Sequence, residues 1–214
     1  KNPGNNLVTT LDVTLQEAAY NAMGLYEGAI VVMEPSTGKI LAMVSKPDFD
    51  PNEIAQEWEN LNQEGSSVLL NRASQGLYPP GSTFKMITAL EYIREHPDDW
   101  ENYTWQCSGS YTHGDTTIRC YHGSSHGSLD FMHSFAESCN SSFANIGMSL
   151  ERSSFLSTLD GLLFNQELPV DISYSRSSVA LTEDSGDADM IQTVIGQGKT
   201  QMTPLHLCMI TSAI

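Results

Sequence analysis

Apolar positions change period several times along the chain, and each change marks an element. Leu15, Ala18, Ala19, Ala22 and Met23 recur at helical spacing. Thr14 and Glu17 frame a capping box ahead of them, with Thr14 as N-cap, and Gly24 ends the helix. The preceding residues 7–11 have the composition of a short strand. Residues 28–33 and 39–44 are apolar on both faces and are separated by Pro35-Ser36-Thr37-Gly38. They predict a hairpin, central in a covered sheet. Residues 54–76 are mixed. Pro80 and Gly81 break that stretch, and Met86, Ala89, Leu90 and Ile93 then predict a helix from Ser82 to near Arg94, before Pro97.

The second half is more polar. Residues 98–128 are rich in Gly, Ser, Thr, His and Tyr, which predicts irregular structure with short strands. Ser128 reads as the N-cap of a helix over 129–137. Ser138-Cys139-Asn140 interrupts that helix, and a new one starts at Ser141 or Ser142 and runs to Leu150. Residues 151–189 carry no clear period. Thr203-Pro204 opens a last helix, with proline in its first turn.

Length and charge narrow the function. A chain of 214 residues makes one large domain or two small ones, and 40% hydrophobic residues can fill a core. With 26 acidic and 10 basic residues the net charge is −16, a poor partner for nucleic acid or an anionic membrane. No apolar run approaches the roughly 18 residues of a membrane span. Lys1 opens onto a polar stretch without the features of a signal peptide, and the chain reads as cut from a longer protein.

Four cysteines bear on the redox setting. Cys107 and Cys120 flank the polar segment and could close a disulfide across it, which would contribute roughly 3 kcal/mol in an oxidising compartment. A zinc set of Cys107, Cys120, His122 and His126 lacks tight C-x-x-C spacing, so the oxidised pair is the simpler expectation. Cys139 and Cys208 read as buried small hydrophobes.

The candidate chemistry lies at two polar stretches. Ser82 falls in the first turn of a helix, and Lys85 lies three residues on, on the same face. A serine hydroxyl needs a base to become nucleophilic, and a lysine serves once burial lowers its pKa. Main-chain N–H groups at a helix start can steady an oxyanion. Ser138 can relay a proton, and the amide of Asn140 can bind both a lysine and a carbonyl. Each stretch alone is also ordinary capping chemistry.

Taken together, the two stretches resemble the transpeptidase domain of the penicillin-binding proteins, in the style of the monofunctional class B members. Gly81-Ser82-Thr83-Phe84-Lys85 is similar to the family's S-x-x-K, and Ser138-Cys139-Asn140 to its S-x-N. Supporting matches are the 28–44 hairpin, Leu11-Asp12 with Leu15-Gln16, Asp48-Phe49-Asp50-Pro51-Asn52, and Gly196-Gln197-Gly198 with Thr203-Pro204-Leu205.

The resemblance implies an α/β (α+β) fold in which helices cover an antiparallel sheet. It implies a catalytic set of Ser82, Lys85, Ser138 and Asn140, with no metal and no cofactor. Ser82 would attack the D-Ala-D-Ala carbonyl of a peptidoglycan stem peptide, and β-lactams would acylate the same residue. Lys85 would be the base, Ser138 would pass the proton to the leaving amine, and Asn140 would hold Lys85 and the substrate amide. The expected partners are stem peptides and a glycosyltransferase of wall synthesis. The expected location is the outer side of a bacterial membrane, with any anchor outside this chain.

The family's third motif, K-T-G or K-S-G, is not matched. Lys199-Thr200-Gln201 lies in a region that precedes that motif in the family. The motif is therefore expected beyond Ile214, and the chain alone is expected to show little turnover. Gly198-Lys199-Thr200 mimics the end of a P-loop, but Thr193 stands where that motif needs glycine. Two rival readings are a class D-like serine β-lactamase or β-lactam sensor, and a non-catalytic scaffold. The first commonly carries Ser-x-Val where this chain has Asn140. The second conflicts with four intact polar residues.

Overall fold

The computed structural model describes residues 4–63 and 65–214. Residues 1–3, part of the polar lead, and Glu64 lie outside the described residues. The chain divides into two compact units. One comprises residues up to Leu77 with Leu168–Arg176 and Met202–Ile214, and the other comprises Tyr78–Glu167 with Ser177–Gln201. The fold is mixed helix and antiparallel strand, as the sequence implies.

In the first unit, helix α1 (Val13–Met23) precedes the antiparallel hairpin of β1 (Gly28–Glu34) and β2 (Lys39–Lys46). Ala19 and Met23 of α1 meet Ala42 and Val44 of β2 in a small core, flanked by Leu15, Ile30 and Val32. Gln16 fixes the helix to the strand. Its amide N–H donates to the Met43 carbonyl, and its carbonyl accepts the Met43 N–H, both at 2.8 Å. One side chain thus satisfies both main-chain groups of a strand residue. Helix α2 (Ile54–Leu61) follows within the stretch of mixed pattern. The last helix of the chain, Pro204–Ala213, starts at the expected Thr203 cap and packs on β1.

Two expectations change here. The N-cap of α1 is Asp12, whose carboxylate accepts from Leu15 N–H at 2.9 Å, not Thr14. An extended Asp12 starts the helix two residues earlier and leaves Thr14 inside it. Residues 7–11 form no strand. Leu7 and Val8 are 86% and 93% exposed, so apolar composition finds nothing to pack against.

The second unit is built around α3 (Lys85–Glu95), entered through a 3-10 turn at Gly81–Phe84. The polar segment supplies four short strands: β3 (Thr104–Cys107), β4 (Ser110–His113), β5 (Thr116–Arg119) and β6 (Gly127–Asp130). β3 pairs with β6 and β4 with β5, both antiparallel. Helices α4 (Phe131–Ala136), α5 (Asn140–Ser149), α6 (Arg152–Gly161) and α7 (Asp187–Val194) complete the unit, and the last helix of the chain is α8.

The α4 cap is Asp130, accepting from His133 N–H, so Ser128 and Leu129 belong to β6 instead. Cys139 is the cap of α5, which begins at Asn140, ahead of the expected start. Helices α6 and α7 arise where the sequence shows no period. Each buries only a few side chains, Phe155 and Leu159 on α6 and Met190, Ile191, Thr193 and Val194 on α7.

Cys107 and Cys120 are free, with their sulfurs 3.7 Å apart, far beyond the S–S bond length of about 2.05 Å. Cys139 is buried as expected but lies 3.7 Å from Cys120, among polar atoms.

One ionic contact braces α3. Glu91 is fully buried and accepts two bonds from Arg94, at 2.9 and 2.7 Å, and one from Thr158 at 2.5 Å. Burial alone would raise the Glu91 pKa, but the guanidinium and hydroxyl outweigh it and hold the carboxyl down to about 2. Arg94→Leu leaves that carboxylate without its main partner. The expected cost is about 2 kcal/mol of stability, read as a lower urea midpoint at neutral pH.

Candidate active site

Gly81 has φ +56, which turns the chain into the short helix and places Ser82 at its start, exposed. The Gly81 N–H donates to the Gly196 carbonyl at 2.9 Å. Gly196 itself has φ +69, and a Cβ there would lie 2.2 Å from the Gly81 carbonyl oxygen. Only glycine permits this approach of two main chains.

Lys85 opens α3 and is 1% exposed. Its Nζ lies 2.6 Å from the Ser138 carbonyl, 2.6 Å from Asn140 Oδ1, 3.0 Å from Ser138 Oγ and 3.3 Å from Ser82 Oγ. All four residues expected from the sequence are therefore in one place. Burial lowers the Lys85 pKa from 10.5 to about 8, against a smaller upward pull from Cys139 and Cys120.

The second stretch is held by its own turn. Ser138 has φ +50, unusual for a residue with a side chain, and follows the last turn of α4. That conformation directs its carbonyl and hydroxyl to the same amine. Cys139 then caps α5, its N–H bonded to Ser134 carbonyl at 3.0 Å. Asn140 divides its amide between two jobs, with Oδ1 accepting from Lys85 and Nδ2 donating to the Arg119 carbonyl at 3.1 Å.

The Arg119 carbonyl and the Gly81–Gly196 contact were not anticipated as parts of the site. The first is a main-chain group with no sequence signal. The second is foreshadowed by Gly196-Gln197-Gly198, whose glycines at 196 and 198 both have positive φ. His122, one of the four residues weighed as zinc ligands, stays exposed and outside the cysteine group.

Residues 28–214 match the family described as the penicillin-binding protein transpeptidase domain. The chain belongs to this family. It is 33% identical to the peptidoglycan D,D-transpeptidase PbpA of Mycobacterium tuberculosis, over 99% of this chain and 46% of that protein. The structure of penicillin-binding protein A from the same organism, a ceftriaxone acyl-enzyme complex, matches with a TM-score of 0.87 at 29% identity, covering 96% of this chain and 49% of that one. Pseudomonas aeruginosa penicillin-binding protein 2, in complex with WCK 5153, matches with a TM-score of 0.89 at 28% identity, covering 98% and 51%. The chain thus spans about half the length of these relatives.

The close main-chain contact gives a test of the site's packing. In Gly196→Ala the added methyl meets main-chain atoms on the Ser82 turn and cannot push a flexible side chain aside. The expected loss is about 1–3 kcal/mol, read as a lower thermal midpoint, whereas Gly161→Ala, in open space, is neutral within error.

Proposed function

We propose that this protein is the acyl-transfer part of a peptidoglycan D,D-transpeptidase. The observation that carries the reading is the fourfold contact of the buried Lys85 amine. A neutral amine has two N–H bonds and one lone pair. The Ser138 carbonyl and Asn140 Oδ1, both at 2.6 Å, are acceptors only and take the two N–H groups. The lone pair is then free to take the Ser82 hydroxyl proton.

Ser82 Oγ forms a bond to the carbonyl carbon of the penultimate D-alanine. Its proton moves to Lys85, and the ammonium donates onward to Ser138 Oγ, 3.0 Å away. Ser138 in turn delivers a proton to the nitrogen of the departing D-alanine as the peptide bond breaks. An amine of a neighbouring stem peptide attacks the acyl-enzyme, forms the cross-link and frees Ser82. Asn140 keeps Lys85 in place, and its second Nδ2 hydrogen is available to a substrate carbonyl. A β-lactam presents a strained amide to the same serine. The ceftriaxone acyl-enzyme complex of the similar Mycobacterium tuberculosis penicillin-binding protein A supports this reading. In this proposal the protein works outside the membrane beside a glycan-polymerising partner.

Intact-mass spectrometry after incubation with benzylpenicillin tests the nucleophile, on this chain and on a version extended past Ile214. One stable adduct is expected, absent in Ser82→Ala. Fast hydrolysis of the drug would point to a β-lactamase, and no adduct on either form would point to a scaffold.

The pH profile tests the base. With a pKa of about 8, about a tenth of Lys85 is neutral at pH 7, against about three in ten thousand for an ordinary lysine. The neutral form is the active one. The acylation rate is therefore expected to rise roughly tenfold per pH unit below about 8 and level off above it. In Lys85→Arg, which stays protonated, acylation falls by at least about a hundredfold at every pH.

A further inference from the structure

Behind the Ser138–Asn140 turn, four soft donors meet. Cys107, Cys120 and Cys139 are buried, His126 is half-buried, and one ligand atom from each lies within 4.8 Å of every other. They come from four element ends: the last residue of β3, the residue after β5, the residue before β6 and the cap of α5. The sulfurs of Cys107 and Cys120 are 3.7 Å apart, those of Cys120 and Cys139 are 3.7 Å apart, and Cys107 Sγ is 3.4 Å from His126 Nδ1.

These three separations match edges of a metal-centred tetrahedron. With Zn–S near 2.3 Å and Zn–N near 2.05 Å, the S–S edge is about 3.8 Å and the S–N edge about 3.6 Å. A pair of cysteines set for a disulfide would instead aim its sulfurs to bonding distance. Donors for thiolate charge are also in place around Cys107, from Gly109 N–H at 3.4 Å and the Ser141 hydroxyl at 3.2 Å. Trp105 Nε1 donates to Ser141 Oγ at 3.0 Å and fixes that hydroxyl.

We propose that Cys107, Cys120, His126 and Cys139 bind one zinc ion as a closed structural site. Binding releases the three thiol protons and leaves a Cys₃His complex of net charge −1. Three thiolates and an imidazole favour zinc over hard cations such as magnesium or calcium.

The site ties together both ends of the catalytic turn. Cys139 lies between Ser138 and Asn140, and Cys120 follows Arg119, whose carbonyl holds the Asn140 amide. Zinc bound to both cysteines would therefore fix the main chain on either side of Asn140. This positioning role rests on the acyl-transfer reading, whereas the metal site does not.

The test starts with the purified, untagged protein, washed free of loose metal. Elemental analysis is expected to find one zinc per chain, and non-reducing intact mass to show no loss of two hydrogens. Cys139→Ser and His126→Ala are expected to lose the zinc, and Cys208→Ser to keep it. Should the first two variants fail to fold, cobalt(II) exchange into the unmutated protein is expected to give a thiolate-to-cobalt charge-transfer band with intense tetrahedral bands. Metal-free protein, a Cys107–Cys120 disulfide in the purified protein, unchanged zinc in both ligand variants, or weak octahedral cobalt bands would each overturn the site.

Positioning is read separately, as the rate of Ser82 acylation by a fluorescent penicillin. Chelation is expected to slow it about tenfold and added zinc to restore it. An unchanged rate with zinc removed overturns the positioning role and leaves the site standing. A protein that holds zinc but never acylates counts against the acyl-transfer reading instead.

Discussion

A buried amine must be surrounded by acceptors, and that requirement organises the second unit. Lys85 is closed off from water at the first position of α3. Its hydrogens need partners within about 3 Å, or the burial costs several kcal/mol. The partners come from 53 and 55 residues further on, so the fold has to return the Ser138 turn to the start of α3. Burial lowers the lysine pKa, and the two carbonyl oxygens fix which way its lone pair points. The same few contacts thus satisfy the buried amine, and neither Ser82 nor Ser138 has to be buried to make them.

The return is achieved by conformations that cost energy locally. Ser138 takes a left-handed backbone, and Gly81 and Gly196 bring two main chains to within hydrogen-bonding distance. Strain of this kind persists where the surroundings over-determine it. Here α5 and α7 do so, with Gly147 close against Val194 and Thr88 of α3 bonded to the Val194 carbonyl at 2.7 Å. The unit is therefore tightly packed directly beneath Ser82, while the serine itself stays exposed.

What the sequence made legible follows from how local each signal is. The β1–β2 hairpin, α1, α3 and α8 all carry strong period or turn chemistry and appear close to the expected residues. Helices α6 and α7 do not, because they contact the core through only a few side chains and their remaining faces are polar. Caps were misplaced where two capping residues lie close together, as with Asp12 and Thr14 or Ser128 and Asp130, since local sequence does not say which one the chain extends at. The four polar site residues were legible through paired motifs. The Arg119 carbonyl was not, because a main-chain acceptor leaves no trace in side-chain identity.

The cysteines show the same limit from the other side. A disulfide between Cys107 and Cys120 is reasonable from composition, since two thiols flank one polar loop. Cys139 reads as a small hydrophobe because it is buried and sits in a helix cap. Both readings treat each cysteine with its chain neighbours, whereas the geometry that matters joins four separate element ends. Three sulfurs and one imidazole nitrogen gathered within 4.8 Å give a different chemistry from two sulfurs near each other. A disulfide would draw two of them to about 2 Å and leave Cys139 unmatched. Four-coordinate binding uses all of them and leaves the Asn140 contact with Arg119 in place. The middle residue of the Ser138-Cys139-Asn140 stretch then has a reason of its own to be cysteine: it is the link through which a closed metal site could brace an open catalytic one.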